Sequence, residues 1–450
     1  MQLADIIARE RDAFVLQRPR SRAMAVAAAE HYAYGVPMHW MRDWGTPFPL
    51  VVCDASGATL TCVDGLRYVD LCLGDSAALF GHSPPPVAQA ITRQATHGLA
   101  TMLPSDQAAA AAGALADLFG LPWWQITLTA TDANRTVLRH ARAISARRKV
   151  LVFNHCYHGT VDEALVVAAD GTQARPRPGL IGSHFDASDT VVVEFNDVAA
   201  LTGALAAGDV ACVLTEPVMT NAGMVLPQPG FLEALRAACT RFGTLLVMDE
   251  THTLCSARGG HTRSCGIAAD FLVCGKAIAG GVPCAVFGFS DAVAERIREF
   301  DRHRESGHSG LGTTLSANPL SIAALLACLR EVMTPAAYEH MDLLAAELAR
   351  RMSAAFTARA LPWHVARVGA RLEFARGAAA LNGSESLARA NPALQSAMHL
   401  YLLNRGFVLT PFHNMLLISP ATTRTQIDGF MKIFEDCLQV FQPCMGADER

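Results

Sequence analysis

The chain has 450 residues, enough for more than one structural unit. Hydrophobic residues make up 51% and charged ones 17%, yet no apolar run approaches the roughly 18 residues of a membrane-spanning helix, so the excess reads as core and subunit interface. A net charge of −4 gives no electrostatic footprint for nucleic acid or an anionic membrane.

Residues 1–33 read as helical, with acids early and no long apolar core, which speaks against a signal peptide and for the cytoplasm. Short strand patterns follow to Asp70, with turns at Asp54-Ala55-Ser56-Gly57 and Val63-Asp64-Gly65. A helix starts near Pro84-Pro85-Pro86 and ends at Gly98. Helices and apolar strands then alternate. The expected strands are Gln125–Thr129, Lys149–Phe153, Thr190–Glu194, Val210–Thr215, Leu245–Asp249, Phe271–Cys274 and Cys284–Phe289, with helices at Thr131–Ala146 and Gly230–Phe242 among them. This alternation predicts an α/β fold with a mostly parallel seven-stranded sheet covered by helices on both faces. After Asn318-Pro319-Leu320 a long alanine- and leucine-rich helix is expected, then a smaller α+β part with a strand at Met415–Ile418 and a helix at Thr425–Val440. The domain expectation is therefore a large domain, 76–317, and a small α+β domain, 318–450, with which an N-terminal segment, 1–75, packs. The thirteen cysteines form no Cys-x-x-Cys pair, and Cys212, Cys274 and Cys284 sit in apolar runs, as small buried hydrophobes in a reducing compartment do.

Two strand ends carry the most chemistry. The run ending at Asp249 places an acid at the carboxyl end of a buried strand, and Phe271–Cys274 delivers Lys276 into a glycine-rich turn. Ligands of open α/β sheets bind beyond the carboxyl ends of strands. A lysine that forms a Schiff base and an acid that keeps a pyridine nitrogen protonated suit pyridoxal phosphate. The acid could instead cap a helix or pair with an arginine. Glu250 is adjacent and should point the other way on the strand, which makes it structural.

Thr129-Ala130-Thr131-Asp132 runs from strand into helix, where backbone N–H groups can hold a phosphate, although Thr129 or Thr131 could be a plain cap. Tyr157-His158-Gly159 follows a strand end and could lay an aromatic ring on a flat cofactor. His155 and His158 lack a visible third ligand, so no metal is expected. Arg42, in His39-Trp40-Met41-Arg42-Asp43-Trp44, suits a substrate carboxylate, with a salt bridge to Asp43 as the alternative, and Trp44 could line the same pocket. His413 is a further candidate at the entrance.

Tyr68-Val69-Asp70, Gly81-His82, Thr131-Asp132-Ala133-Asn134, Tyr157-His158-Gly159, Glu216-Pro217-Val218, Asp249-Glu250, Gly275-Lys276 and Thr314–Leu320 together resemble the class III aminotransferases of pyridoxal phosphate fold type I. Within them the chain looks similar to the glutamate semialdehyde aminomutase and β-amino-acid aminotransferase branch. The resemblance runs from about Tyr34 to the C-terminus. It implies that Lys276 is the Schiff-base lysine and Asp249 the acid on the ring nitrogen. It also implies that Tyr157 and His158 belong to the cofactor site, that Ala130 and Thr131 form the phosphate turn, and that Glu216 and Asn221 line the cofactor's hydroxyl side. Thr314 would reach the phosphate from the neighbouring subunit of a homodimer with shared active sites. Ala130 stands where the family has a glycine, and Thr251 where it has a valine against the ring, so both positions need a local explanation. The activity implied is ping-pong transfer of an amine from a small-molecule donor to a keto acceptor, with transfer within one molecule, as in an aminomutase, as the alternative.

Overall fold

The computed structural model describes residues 2–182 and 186–445. These group into two units. One comprises residues 85–338 with 379–388, and the other residues 1–84, 339–378 and 389–450.

The first unit is built on a seven-stranded sheet: β1 (Trp123–Thr127), β2 (Lys149–Phe153), β3 (Thr190–Val193), β4 (Val210–Thr215), β5 (Leu245–Asp249), β6 (Phe271–Cys274) and β7 (Ala285–Phe289). Their order across the sheet is β1-β7-β6-β5-β4-β2-β3. β7 is antiparallel to both β6 and β1, while β6, β5, β4, β2 and β3 pair in parallel. Strands buried on both faces read as continuous apolar runs, and alternation decides which side each residue serves. Val150, Val152, Leu245, Val247, Phe271 and Val273 pack with Ala133, Val137, Leu138 and Ala141 on one face. Leu151, Phe153, Leu246 and Met248 pack with Phe231, Leu232 and Leu235 on the other. Helices α1 (Pro85–Ala95), α2 (Ala108–Phe119), α3 (Ala130–Ser145), α4 (Val198–Leu205), α5 (Phe231–Phe242) and α6 (Gly260–Ser264) lie between or before the strands.

The expected strand at 125–129 sits two residues earlier. Thr129 is the N-cap of α3, its Oγ1 accepting from Asp132 N at 3.1 Å, so the chain leaves the sheet at Thr127. The helix expected to run on from Pro319 is broken. Pro319–Ala327 continues as one π-helical turn, Cys328–Val332, and Pro335 starts a separate helix to Ala358. The buried Pro319–Ala327 segment packs on α1, and Ser321 Oγ donates to Pro283 O at 2.9 Å, so residues up to 338 group with the first unit.

In the second unit the N-terminal and C-terminal parts of the chain interlock. Strands Val52–Ser56, Thr59–Cys62 and Arg67–Asp70 are joined in parallel by Phe407–Val408. The N-terminal helix Leu3–Gln17 packs on Pro392–Asn404. Buried Arg18 donates to Tyr68 OH and to Asn404 Oδ1, both at 3.0 Å. Strands Trp363–Val368, Arg371–Arg376 and Met415–Leu417 form a second, antiparallel sheet. Among the described residues no single helix is long and apolar enough to cross a membrane.

Candidate active site

Parallel strands end together, so the carboxyl edge of the first unit's sheet gathers five chain segments: the start of α3 after β1, His158 after β2, Glu216 after β4, Asp249 at the tip of β5, and Lys276 after β6. Asp249 follows Leu245 and Val247 on the face covered by α3, which points its carboxylate at that helix. There Oδ2 accepts from Asn134 Nδ2 of α3 at 3.0 Å and from His158 Nδ1 at 2.9 Å. Thr251 N donates to Oδ1 at 3.1 Å. Burial pushes the Asp249 carboxyl up, but His158, Thr251 and Asn134 outweigh it and hold it down at about 2. Burial likewise pushes His158 down, and Cys156 and Asp249 more than reverse this, to about 10. A buried, fixed anion at the sheet edge is the partner a protonated ring nitrogen requires. Two buried polar atoms beside it, Asn134 Oδ1 and His158 Nε2, have no protein partner among the described residues.

Next to the acid lies the N-terminus of α3, an arrangement that suits a phosphate. The first N–H groups of a helix have no intrahelical acceptor. Thr129 takes those of Asp132 and Ala133, leaving Ala130 and Thr131 at the positive end of α3. Ala130 is the first helical residue and is not in a left-handed conformation, so the family's glycine is not required there. Gly275 makes room for it, since a Cβ at 275 would stand 2.9 Å from the Ala130 Cβ. Thr160 N donates to Thr131 Oγ1 at 3.1 Å, tying α3 to the loop after β2. Gly159 allows that approach. Its φ is +81°, and a Cβ there would lie 2.1 Å from Thr131 Oγ1. Gly159→Ala should therefore cost about 2 kcal/mol of stability and weaken cofactor retention, as urea unfolding and equilibrium dialysis would measure.

Thr251, out of pattern for the family, has its hydroxyl satisfied, for Oγ1 accepts from Gly275 N at 3.2 Å. The tips of β5 and β6 are latched together by this bond. Lys276 follows in a left-handed conformation at φ +50°. Glu250 points away as alternation requires. It is fully buried, accepting from Thr253 Oγ1 at 2.6 Å and from His261 N at 3.0 Å, and it holds the start of α6.

Three residues of the site carry little sign of their role in the sequence. Asn134 lay within a quoted motif, but its partner is 115 positions away. His252 lies with its Nε2 2.7 Å from Lys276 Nζ and its Nδ1 2.6 Å from Thr220 Oγ1. Thr220, rather than neighbouring Asn221, donates its hydroxyl to Glu216. The signal for His252 is its place three residues after Asp249, just past the acid-bearing strand end. Tyr157 is half-buried beside His158, and Thr314 is exposed in the segment before Pro319.

Arg42, Trp44 and His413 belong to the other unit. Arg42 ends a short 3-10 turn with its guanidinium 5.3 Å from the Tyr34 ring centre. Trp44 packs on the cluster of Phe14, Tyr68 and Leu400. His413 Nδ1 stands 3.8 Å from Glu373 Oε1, a carboxyl that burial pushes up to about 7. Among the described residues no group of three His, Cys, Asp or Glu side chains is placed to hold a metal ion.

Residues 40–438 match the family model "Aminotransferase class-III". A glutamate-1-semialdehyde 2,1-aminomutase of Sorangium cellulosum is 32% identical over 400 residues, 87% of this chain and 90% of that protein. A crystal structure of a glutamate-1-semialdehyde aminomutase from Pseudomonas aeruginosa superposes with a TM-score of 0.94 and 46% identity, covering 97% of this chain and 98% of the other. A variant of that enzyme, 45% identical, was solved in complex with PMP. The β-phenylalanine aminotransferase of Variovorax paradoxus is 25% identical with a TM-score of 0.86, over 98% and 99% of the two chains. A buried anion, a lysine at the next strand tip and a helix N-terminus between them fit the same cofactor chemistry. This chain thus belongs to the class III aminotransferases and is a pyridoxal-phosphate-dependent enzyme.

Proposed function

We propose that this enzyme is an aminomutase of the glutamate-1-semialdehyde type, moving an amine from carbon 2 to carbon 1 within one molecule. The observation that carries the reading is the 46% identity, at a TM-score of 0.94 over 97% of the chain, to the Pseudomonas aeruginosa aminomutase. Pyridoxal phosphate, when bound, supplies a ring that draws electrons from the carbon bearing the substrate amine. The remaining work falls to this chain's own side chains. Asp249 keeps the proton on the ring nitrogen. Lys276 Nζ carries the cofactor and moves a proton between substrate and cofactor carbons. The N–H groups of Ala130 and Thr131 hold the phosphate at the positive end of α3. Tyr157, His158, Thr251, Glu216 and Asn221 are assigned to the cofactor's surroundings, Arg42 to the substrate's carboxylate, Trp44 to the wall of the substrate pocket and His413 to its entrance.

We assign a homodimer, with Thr314 serving the partner's phosphate site. Exposed apolar side chains support it, Met102 at 80%, Leu103 at 71% and Leu315 at 51% among them. The deciding experiment supplies glutamate-1-semialdehyde alone to enzyme carrying PMP. Repeated turnover without any added keto acid is expected. A stall after one equivalent, with the enzyme left in its pyridoxal form and relieved only by an added amino donor, would overturn the reading in favour of transfer between two molecules.

A further inference from the structure

We propose that His252 is a further catalytic residue, which takes and returns the proton on Lys276 Nζ whenever that amine is not joined to the cofactor. It does so as the middle of a chain ending at Glu216. The proposal rests on Lys276 being the cofactor lysine.

Geometry fixes the direction of the chain. Nε2 of His252 is 2.7 Å from Lys276 Nζ. The other ring nitrogen, Nδ1, is 2.6 Å from Thr220 Oγ1 and 3.3 Å from Glu216 Oε2. Thr220 is hydrogen-bonded to that same carboxylate oxygen, and its backbone N donates to Oε1 at 3.4 Å. Thr220, His252 and Glu216 are all buried. Although burial pushes the Glu216 carboxyl up, hydrogen bonds from His252 and Thr220 and the nearby charge of His158 hold it below its ordinary range, so it is an acceptor only. The single hydroxyl proton of Thr220 goes to that carboxylate. Only lone pairs are left facing the imidazole, so Nδ1 carries the ring proton. Nε2 of the neutral ring is then an acceptor, and it faces the amine.

The step balances within the chain. A proton leaves Nζ, an N–H bond forms at Nε2, and the Nζ lone pair becomes available to attack an aldehyde carbon. The imidazolium so formed lies against the Glu216 carboxylate. The same proton returns when the lysine is displaced. The charged groups around this exchange include Lys276 from the turn after β6, Glu216 from the loop after β4, and the Asp249–His158 pair, whose histidine also acts electrostatically on Glu216.

A histidine bound to Thr220 for structure alone would have no need of an amine at its far nitrogen, and the two readings separate in how fast the cofactor is captured. The full chain, stripped of cofactor, is mixed with pyridoxal phosphate and the rise of visible absorption followed across pH. His252→Gln keeps hydrogen-bonding capacity but cannot be protonated, and His252→Leu removes both. Both are expected to reach the native final absorption at least about 10-fold more slowly, the lower end of what a positioned acid–base group gives, and to lose the acidic limb of the native profile. Glu216→Gln should keep that limb but move it to lower pH, because the imidazolium loses its anion. Slowing of less than 10-fold in His252→Gln, or an unchanged profile, overturns the relay. Borohydride reduction and peptide mapping of the native enzyme guard the premise. A label on Lys276 with unaffected His252 variants sinks the relay alone, whereas a missing label sinks the lysine assignment with it.

Discussion

Lys276→Ala is expected to give a folded protein with no visible absorption from linked cofactor and no borohydride label, with amine transfer slowed by at least about 10⁴-fold. The loss is expected to be this large because, in the proposed mechanism, one side chain both carries the cofactor and moves the proton. Its position is also hard to substitute from elsewhere, since the φ of +50° at Lys276 and the Thr251–Gly275 latch fix where the side chain begins. A left-handed alanine is strained, so Lys276→Gly serves as the companion variant, because glycine adopts that conformation without cost. Equal loss of activity in both, with thermal unfolding close to native for the glycine variant, assigns the effect to the amine. Retained absorption in either variant would show that another group holds the cofactor.

Asp249→Asn is expected to lower kcat by about 10²–10³-fold, the scale of removing one preorganised electrostatic partner, while retaining part of the bound cofactor. It also breaks a buried pair. With the anion gone, His158 is left charged or is forced to neutralise, at a cost of about 3 kcal/mol in urea unfolding at neutral pH. The pH dependence has a definite sign. A carboxyl held at about 2, against an ordinary 3.8, contributes stability that is present above 3.8 and lost as pH falls through 2. His158, held up at about 10 against 6.5, contributes stability present below 6.5 and lost as pH rises through 10. In Asp249→Asn both dependences should flatten. Native-like slopes on either side would show that the pair is not coupled as described.

The parts of this site carried by strand ends could be read from the amino-acid sequence. Continuous apolar runs located the tips that present Asp249 and Lys276, and period-two alternation separated Asp249 from Glu250 without further information. The polar connections between tips were not legible, because their partners lie far apart in the chain. Nothing local to Asn134 announces a bond to position 249, and nothing local to Thr220 announces His252. The substitutions that looked anomalous in sequence, Ala130 and Thr251, are explained by one neighbour each has in space, Gly275. Short edge strands such as Val166–Ala168 and Ala174–Pro176, too brief for a periodic signal, were missed for the opposite reason.

The parity of β5 has one further outcome. Moving that strand by a single position against its neighbours would put the thioether of Met248 where α3 meets a carboxylate, and would bury the charge of Asp249 among Phe231, Leu232 and Leu235. A misaligned chain would thus be unable to take up vitamin. Colour on mixing with pyridoxal phosphate is therefore expected only of correctly aligned molecules.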